Sequence, residues 1–172
     1  MTASSLAVVD TNVLLIANEQ HENLSPEGVI ICVQTLERLR KSGCVVLDDG
    51  HEILREYGQK TKPNTGNKVG DGFLKWLLQN TGNPQCVEQV HIEPHAERGY
   101  IQFPDDEDLH EFDHADRKFV AVSIAHQKHP PILQGSDSKW IDWESKLSVH
   151  GVVIEFLCRT DVEKFIQRKR SR

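Results

Sequence analysis

The chain has 172 residues, of which 38% are hydrophobic and 27% charged, and its formal net charge is −6. This length suits one domain that buries roughly two-thirds of its unfolded surface around a single core, and the acidic balance argues against a protein that coats nucleic acid nonspecifically, because such binding needs Lys and Arg to neutralise phosphates. No apolar run approaches the roughly 20 residues that span a bilayer, and Met1-Thr2-Ala3-Ser4-Ser5 lacks the basic and apolar regions of a secretory leader, so a cytoplasmic protein without a membrane partner is expected.

In chain order, Leu6-Ala7-Val8-Val9 reads as a buried parallel strand that ends at Asp10, and residues 11–17 begin a helix. Ser25 suits an N-cap with Pro26 at the first helical position; Val29, Cys32, Val33, Leu36 and Leu39 or Arg40 follow a helical spacing, and Gly43 stops it. Cys44-Val45-Val46-Leu47 is the next strand. Asp48 or Asp49 then caps a third helix, which ends before the loop Lys62-Pro63-Asn64-Thr65-Gly66-Asn67. Phe73, Leu74, Trp76, Leu77 and Leu78 give residues 69–80 the apolar surface of a packed helix, residues 86–92 suit a short strand, and residues 94–104 read as loop. The final third predicts a helix over 114–127, a strand at Ile132-Leu133-Gln134, a polar stop, a helix over 140–147, a strand over 152–156 and a short helix over 162–168. Alternation of this kind implies an α/β domain with a parallel sheet covered on both faces. The whole chain, 1–172, reads as one domain, with a variable helical and loop insertion around 62–112 that could act as a lid, a substrate platform or an interface.

Four acids occupy comparable places in these units: Asp10, Glu56, Asp116 and Asp137. A parallel sheet would bring all four to one edge, where convergent carboxylates repel one another unless cations share the site. Oxygen ligands of this kind suit Mg²⁺ or Mn²⁺. Each acid also has a plainer reading. Asp10 is equally placed to cap its helix, Glu56 competes with Glu52, Asp116 competes with Asp113 at a helix start, and Asp137 has turn composition around it. Asp142 is a spare acid that reads as surface. An acidic chain does not exclude a nuclease, because bound divalent ions reverse the local sign.

Val8-Val9-Asp10-Thr11-Asn12-Val13-Leu14 resembles the opening motif of PIN-domain ribonucleases, and the run from Asp116 to Ala125 resembles their third acidic motif. Ile132-Leu133-Gln134-Gly135-Ser136-Asp137 is similar to the strand leading to the last acid, and Glu52-Ile53-Leu54-Arg55-Glu56-Tyr57 to the second motif with Glu56 as its acid. The resemblance implies a single three-layer α/β/α domain with a parallel sheet of four to five strands in the order 3-2-1-4-5. It also implies a Mg²⁺- or Mn²⁺-dependent phosphodiesterase, using one or two ions, that cleaves single-stranded RNA through metal-activated water and leaves a 5′-phosphate and a 3′-hydroxyl. Asp10, Asp116 and Asp137 would hold metal with Glu56 completing the site, while Asn12 and Ser136 would support the ligands and their waters. A toxin or defence effector restrained by a protein partner is the implied setting, and an oligomer stays open. Two other readings compete, a silent PIN-like module that binds nucleic acid or protein, and a nuclease acting on DNA. A receiver or phosphoryl-transfer domain with Asp10 as nucleophile is disfavoured, since no Asp-x-Asp follows the first strand and no Gly-rich phosphate loop is present.

Candidate phosphate contacts are Lys60, Lys62, Lys68, Arg117 and Lys139, although the lysines around the Pro/Asn/Gly loop and the closing Arg168-Lys169-Arg170-Ser171-Arg172 read first as solvated loop and frayed tail. Trp76, Trp140 and Trp143 read as core before base-stacking residues, and His110 with His114 lacks a third partner at zinc spacing. Cys32, Cys44, Cys86 and Cys158 form no CxxC pair and read as reduced residues in mostly apolar contexts.

Overall fold

The computed structural model describes residues 5–21 and 24–172. The leader reading at residues 1–4 and the link through Glu22 and Asn23 lie outside them. Five parallel strands form the central sheet: β1 (Leu6–Val9), β2 (Cys44–Asp48), β3 (Val87–Val90), β6 (Ile132–Gln134) and β7 (Ile154–Phe156), in the order β3-β2-β1-β6-β7. Counted along the chain without the separate hairpin of β4 (Pro94–His95) and β5 (Gly99–Tyr100), this is the expected 3-2-1-4-5 arrangement. Strand β1 lies in the middle, with Leu6 beside Cys44 and Val9 beside Leu133. Its residues Ala7, Val8 and Val9 are fully buried, as an apolar strand flanked on both faces must be.

Helices α1 (Thr11–Ala17), α2 (Pro26–Ser42), α3 (Glu52–Lys60) and α4 (Val69–Asn80) alternate with these strands, and α1, α2 and α4 pack on one another. Helix α5 (Arg117–Ala125) lies across β1, β2 and β6, so that the sheet is the middle of three layers. The caps agree with the local chemistry. Ser25 accepts a hydrogen bond from Gly28 N at 3.1 Å and Pro26 opens α2, whereas Gly43 ends it. Asp48, fully buried, accepts from the backbone N–H groups of Glu52 and Ile53 and so caps α3 across the left-handed residue His51, whose φ is 62°. Among the described residues, no helix is long and apolar enough to cross a membrane.

Four differences from expectation have physical causes. The segment 62–112 is not an appendage: α4 buries Phe73, Leu74 and Leu77 in the core, and β3 is an edge strand of the sheet. Residues 94–104 contain the β4–β5 hairpin, whose two-residue strands are too short to leave an alternating pattern. Residues 114–127 divide into a 3₁₀ turn, His114–Asp116, and α5; residues 140–147 likewise divide into a longer 3₁₀ segment, Ser138–Trp143, and α6 (Glu144–Ser148). In both cases a capping aspartate, Asp113 or Asp137, bonds the N–H two residues ahead and tightens the first turn. Finally, α7 spans Arg159–Arg170, longer than expected, because Val162 is buried, Asp161 accepts from Ser25 Oγ at 2.8 Å and Arg159 pairs with Glu144.

Candidate active site

The site is built where β1 and β6 end side by side. Asp10 N donates to Leu133 O at 2.9 Å, and the register that sets Val9 beside Leu133 brings Asp10 and Gln134 abreast. Tyr57, on α3 and fully buried, donates its hydroxyl to Val9 O and fixes the last strand residue before Asp10. Tyr57→Phe is expected to lower stability by about 1 kcal/mol, because it leaves a buried carbonyl without its donor, and denaturant unfolding measures it. Asp10 caps α1 by accepting from Asn12 N at 3.2 Å, so the plainer reading of this residue is realised in the structure. It does not exhaust what the carboxylate does. Only 5% of Asp10 is exposed, and its pKa is pushed up to about 8, chiefly by burial and next by the charge of Asp116; the Asn12 N–H opposes this, Glu56 adds to it and Gln134 opposes it weakly.

Asp116 closes the 3₁₀ turn before α5 and is half-buried. Its pKa is pushed up to about 7 by burial first, then by Asp113, Asp137 and Glu56, with Lys118 acting the other way. The four acids expected to converge therefore act on one another: Asp10 feels Asp116 and Glu56, and Asp116 feels Glu56 and Asp137. Glu56 faces this group and Glu52 does not, since Thr11 Oγ1 donates to Glu56 Oε1 at 2.5 Å while Glu52 pairs with exposed Arg55. Asp113 has a capping role and also raises Asp116. Asp142 is exposed on a cleft of about 340 Å³ that it shares with Asp116, Lys139 and Trp143.

Asn12 Oδ1 accepts from Ser136 N at 2.9 Å and ties α1 to the loop that carries Asp137. Gly135 permits this approach, because a Cβ there would stand 2.3 Å from Asn12 Oδ1 and from Ile16 Cδ1. Two buried polar atoms beside these acids lack hydrogen-bond partners, Ser136 Oγ and Gln134 Nε2. Gln134 is near enough to Asp10 to lower its pKa, yet Nε2 makes no bond of normal geometry. Hard oxygen donors, two desolvated carboxylates in mutual repulsion and the unpartnered Ser136 hydroxyl oxygen fit a divalent cation, whereas the Gln134 amide nitrogen is a donor that a cation cannot use. Among the described residues no group of three His, Cys, Asp or Glu side chains already stands in a geometry that could hold a metal ion. A set of one or two carboxylates per ion suits Mg²⁺, which keeps several of its waters.

Lys118 was not expected here. Its ammonium donates to Ala115 O and pairs with Glu56 Oε2 while the residue is almost wholly buried, so it neutralises one member of the cluster. A lysine in the first turn of an otherwise apolar helix, two residues after Asp116, was the available signal. Gln134 carried a similar one, a polar residue ending an apolar strand.

The expected phosphate contacts separate. Arg117 is buried, with its guanidinium donating to the carbonyls of His110 and Phe112 and lying 4.6 Å from the Phe103 ring centre, which leaves it a structural brace and not a surface cation. Lys68 pairs with Glu19 at 3.2 Å, Lys60 and Lys62 are exposed around the end of α3, and Lys139 stands beside Asp137. Trp140 is core, packed edge-on to Phe112, and Trp143 packs on the same ring. His110 and His114 line a cleft of about 440 Å³ with His95 and Arg98. Cys32 and Cys158 are buried with their sulfurs 3.8 Å apart, and Cys44 and Cys86 are half-buried. No protein-family model matches the chain, and no curated protein or solved structure matches it significantly.

Proposed function

We propose that the chain is a PIN-like, Mg²⁺- or Mn²⁺-dependent endoribonuclease that hydrolyses single-stranded RNA at the edge formed by Asp10, Glu56, Asp116 and Asp137. The observation that carries this reading is the burial of Asp10 beside Asp116 at the carboxyl end of the central strand, with both pKa values raised, chiefly by burial and then by the neighbouring carboxylates. The sheet order and the sequence motifs support it. Asp10 and Asp116 would hold the ion or ions, with Asp137 and Glu56 beside them. A bound divalent ion would polarise the phosphate and lower the pKa of an attacking water. The chain's own contribution is to position and to balance charge. Asp10 and Asp116 would give up their protons to hold a cation, Lys118 keeps the charge of Glu56 partly compensated, and Asn12 holds the Ser136 backbone so that Asp137 keeps its place. Lys139, exposed and next to Asp137, would be a cation for the substrate's phosphates.

A second reading has one observation in its favour: both oxygens of Glu56 are already bonded, to Thr11 and Lys118, as befits a site that has given up turnover and kept binding. Cleavage of single-stranded RNA and DNA, with Mn²⁺ and with EDTA, separates the two. The wild type is expected to cleave RNA with Mn²⁺, and Asp116→Asn and Asp137→Asn to fall to the level of the EDTA control while melting cooperatively. Activity that persists in EDTA, or in both variants, overturns the proposal. Binding without cleavage leaves the silent module in its place, and cleavage of DNA alone changes the substrate. A cytoplasmic setting, in which the four free thiols stay reduced, and a protein partner that restrains the activity of a toxin or defence effector belong to the same proposal.

A further inference from the structure

A further cleft of about 450 Å³ contains Asp137 and is lined also by Asn12, Ser136, Lys139, Phe165 and Lys169. Its volume falls within the roughly 300–1,000 Å³ of small-ligand sites. Lys139 lines both this cleft and the one that contains Asp116, so the two clefts meet along the acidic edge. The far wall is α7. Phe165 is 45% exposed there, one turn beyond the buried anchor Val162, and the Lys169 ammonium lies 5.0 Å from its ring centre. Arg168 and Arg170 extend the positive end of the same helix. The other acid in this wall, Asp161, is engaged by Ser25 at 2.8 Å. An exposed aromatic ring flanked by cations, within one cleft of a carboxylate cluster, has the composition of a single-stranded nucleic-acid platform, in which rings stack bases and cations follow phosphates.

We infer that this cleft is a nucleobase subsite, in which Phe165 stacks the base of a nucleotide next to the scissile phosphate and Lys169 and Lys139 contact its phosphates. Placing the scissile phosphate rests on the nuclease reading; the stacking itself does not. The subsite would give a preference for single strands, because a base held in a duplex cannot lie on the ring. It also gives the basic end of α7 a task on the substrate.

Fluorescence anisotropy of a fluorescein-labelled single-stranded RNA oligonucleotide tests it, in the Asp116→Asn background so that binding is read without turnover. Phe165→Ala is expected to weaken binding about tenfold, Phe165→Tyr to restore it, and the same sequence in duplex form to show no dependence on residue 165. In a Phe165→Trp protein, RNA should quench tryptophan emission beyond the response of Trp76, Trp140 and Trp143. Wild-type affinity in Phe165→Ala, or equal dependence with the duplex, overturns the subsite, and if the wild type still cleaves with Mn²⁺ the nuclease reading stands without it. Phe165-dependent binding in a protein that never cleaves keeps the subsite and removes the nuclease. Failure of any single-stranded RNA to bind removes both.

Discussion

Replacing Asp10 with Asn is expected to raise the melting temperature of the EDTA-treated protein at pH 8 by about 5–10 °C, and the gain should shrink steadily as the pH falls toward 4. The sign follows from proton linkage. Asp10 has a folded pKa of about 8 against an ordinary 3.8, so between those values the folded state keeps a proton that the unfolded state has released. Stability then falls as the pH rises through that window, and the full penalty applies above about pH 8. Asp116, raised to about 7, contributes in the same direction over most of the same window. The substitution removes the charge but not the cap, because Asn accepts from the first-turn N–H as well as Asp does. Its amide still needs partners in a buried place, which holds the net gain to about 2–3 kcal/mol instead of the 5 or so that four pKa units represent. Saturating Mn²⁺ should reverse the ranking. The wild type gains about 2.7 kcal/mol at a hundredfold excess over its dissociation constant, and Asp10→Asn gains little. A variant that melts lower than the wild type, or a difference that ignores pH, would mean that Asp10 is a helix cap and nothing more.

The strands themselves were readable because their main signal is local, whereas their order was an expectation taken from the family resemblance. Short apolar runs bounded by Asp or Gly mark β1, β2 and β6, and helices between them force parallel pairing. Helix α2 was equally plain, with Ser25-Pro26 at one end and Gly43 at the other. The acids at the strand ends were legible for the same reason. What the acids do to each other was not. Whether Glu52 or Glu56 faces Asp10 depends on how α3 rolls over the sheet, and that is decided by Ile53, Leu54 and Tyr57 entering the core. Arg117 was misplaced because a cation next to Asp116 looks like a phosphate contact in sequence, whereas its surroundings, the Phe103 ring and the carbonyls of His110 and Phe112, come from the segment before α5 folding back over it. Phe165 escaped attention because an aromatic residue in a short terminal helix reads as packed, and its exposure beside Lys169 depends on how Val162 and Asp161 anchor that helix across the fold.

Lys118 offers the sharpest test of whether Glu56 belongs to a cation site. Its ammonium and the Glu56 carboxylate are 10% and 24% exposed, too buried for water to replace either partner. Lys118→Met keeps the volume and removes the charge, which leaves Glu56 beside two carboxylates that it already repels. In EDTA at neutral pH the expected cost is about 2–3 kcal/mol, somewhat below that of breaking a fully buried pair. Adding Glu56→Gln should recover most of that loss, because a neutral pair no longer strands a charge; a double-mutant cycle in urea reads the coupling directly. If the lysine and a divalent cation compete for the same carboxylate, Mn²⁺ should bind Lys118→Met more tightly than the wild type and largely cancel its instability. Manganese that leaves the Lys118→Met deficit untouched, while still stabilising the wild type, would confine the ion to Asp10, Asp116 and Asp137 and make Glu56–Lys118 a structural pair between α3 and α5.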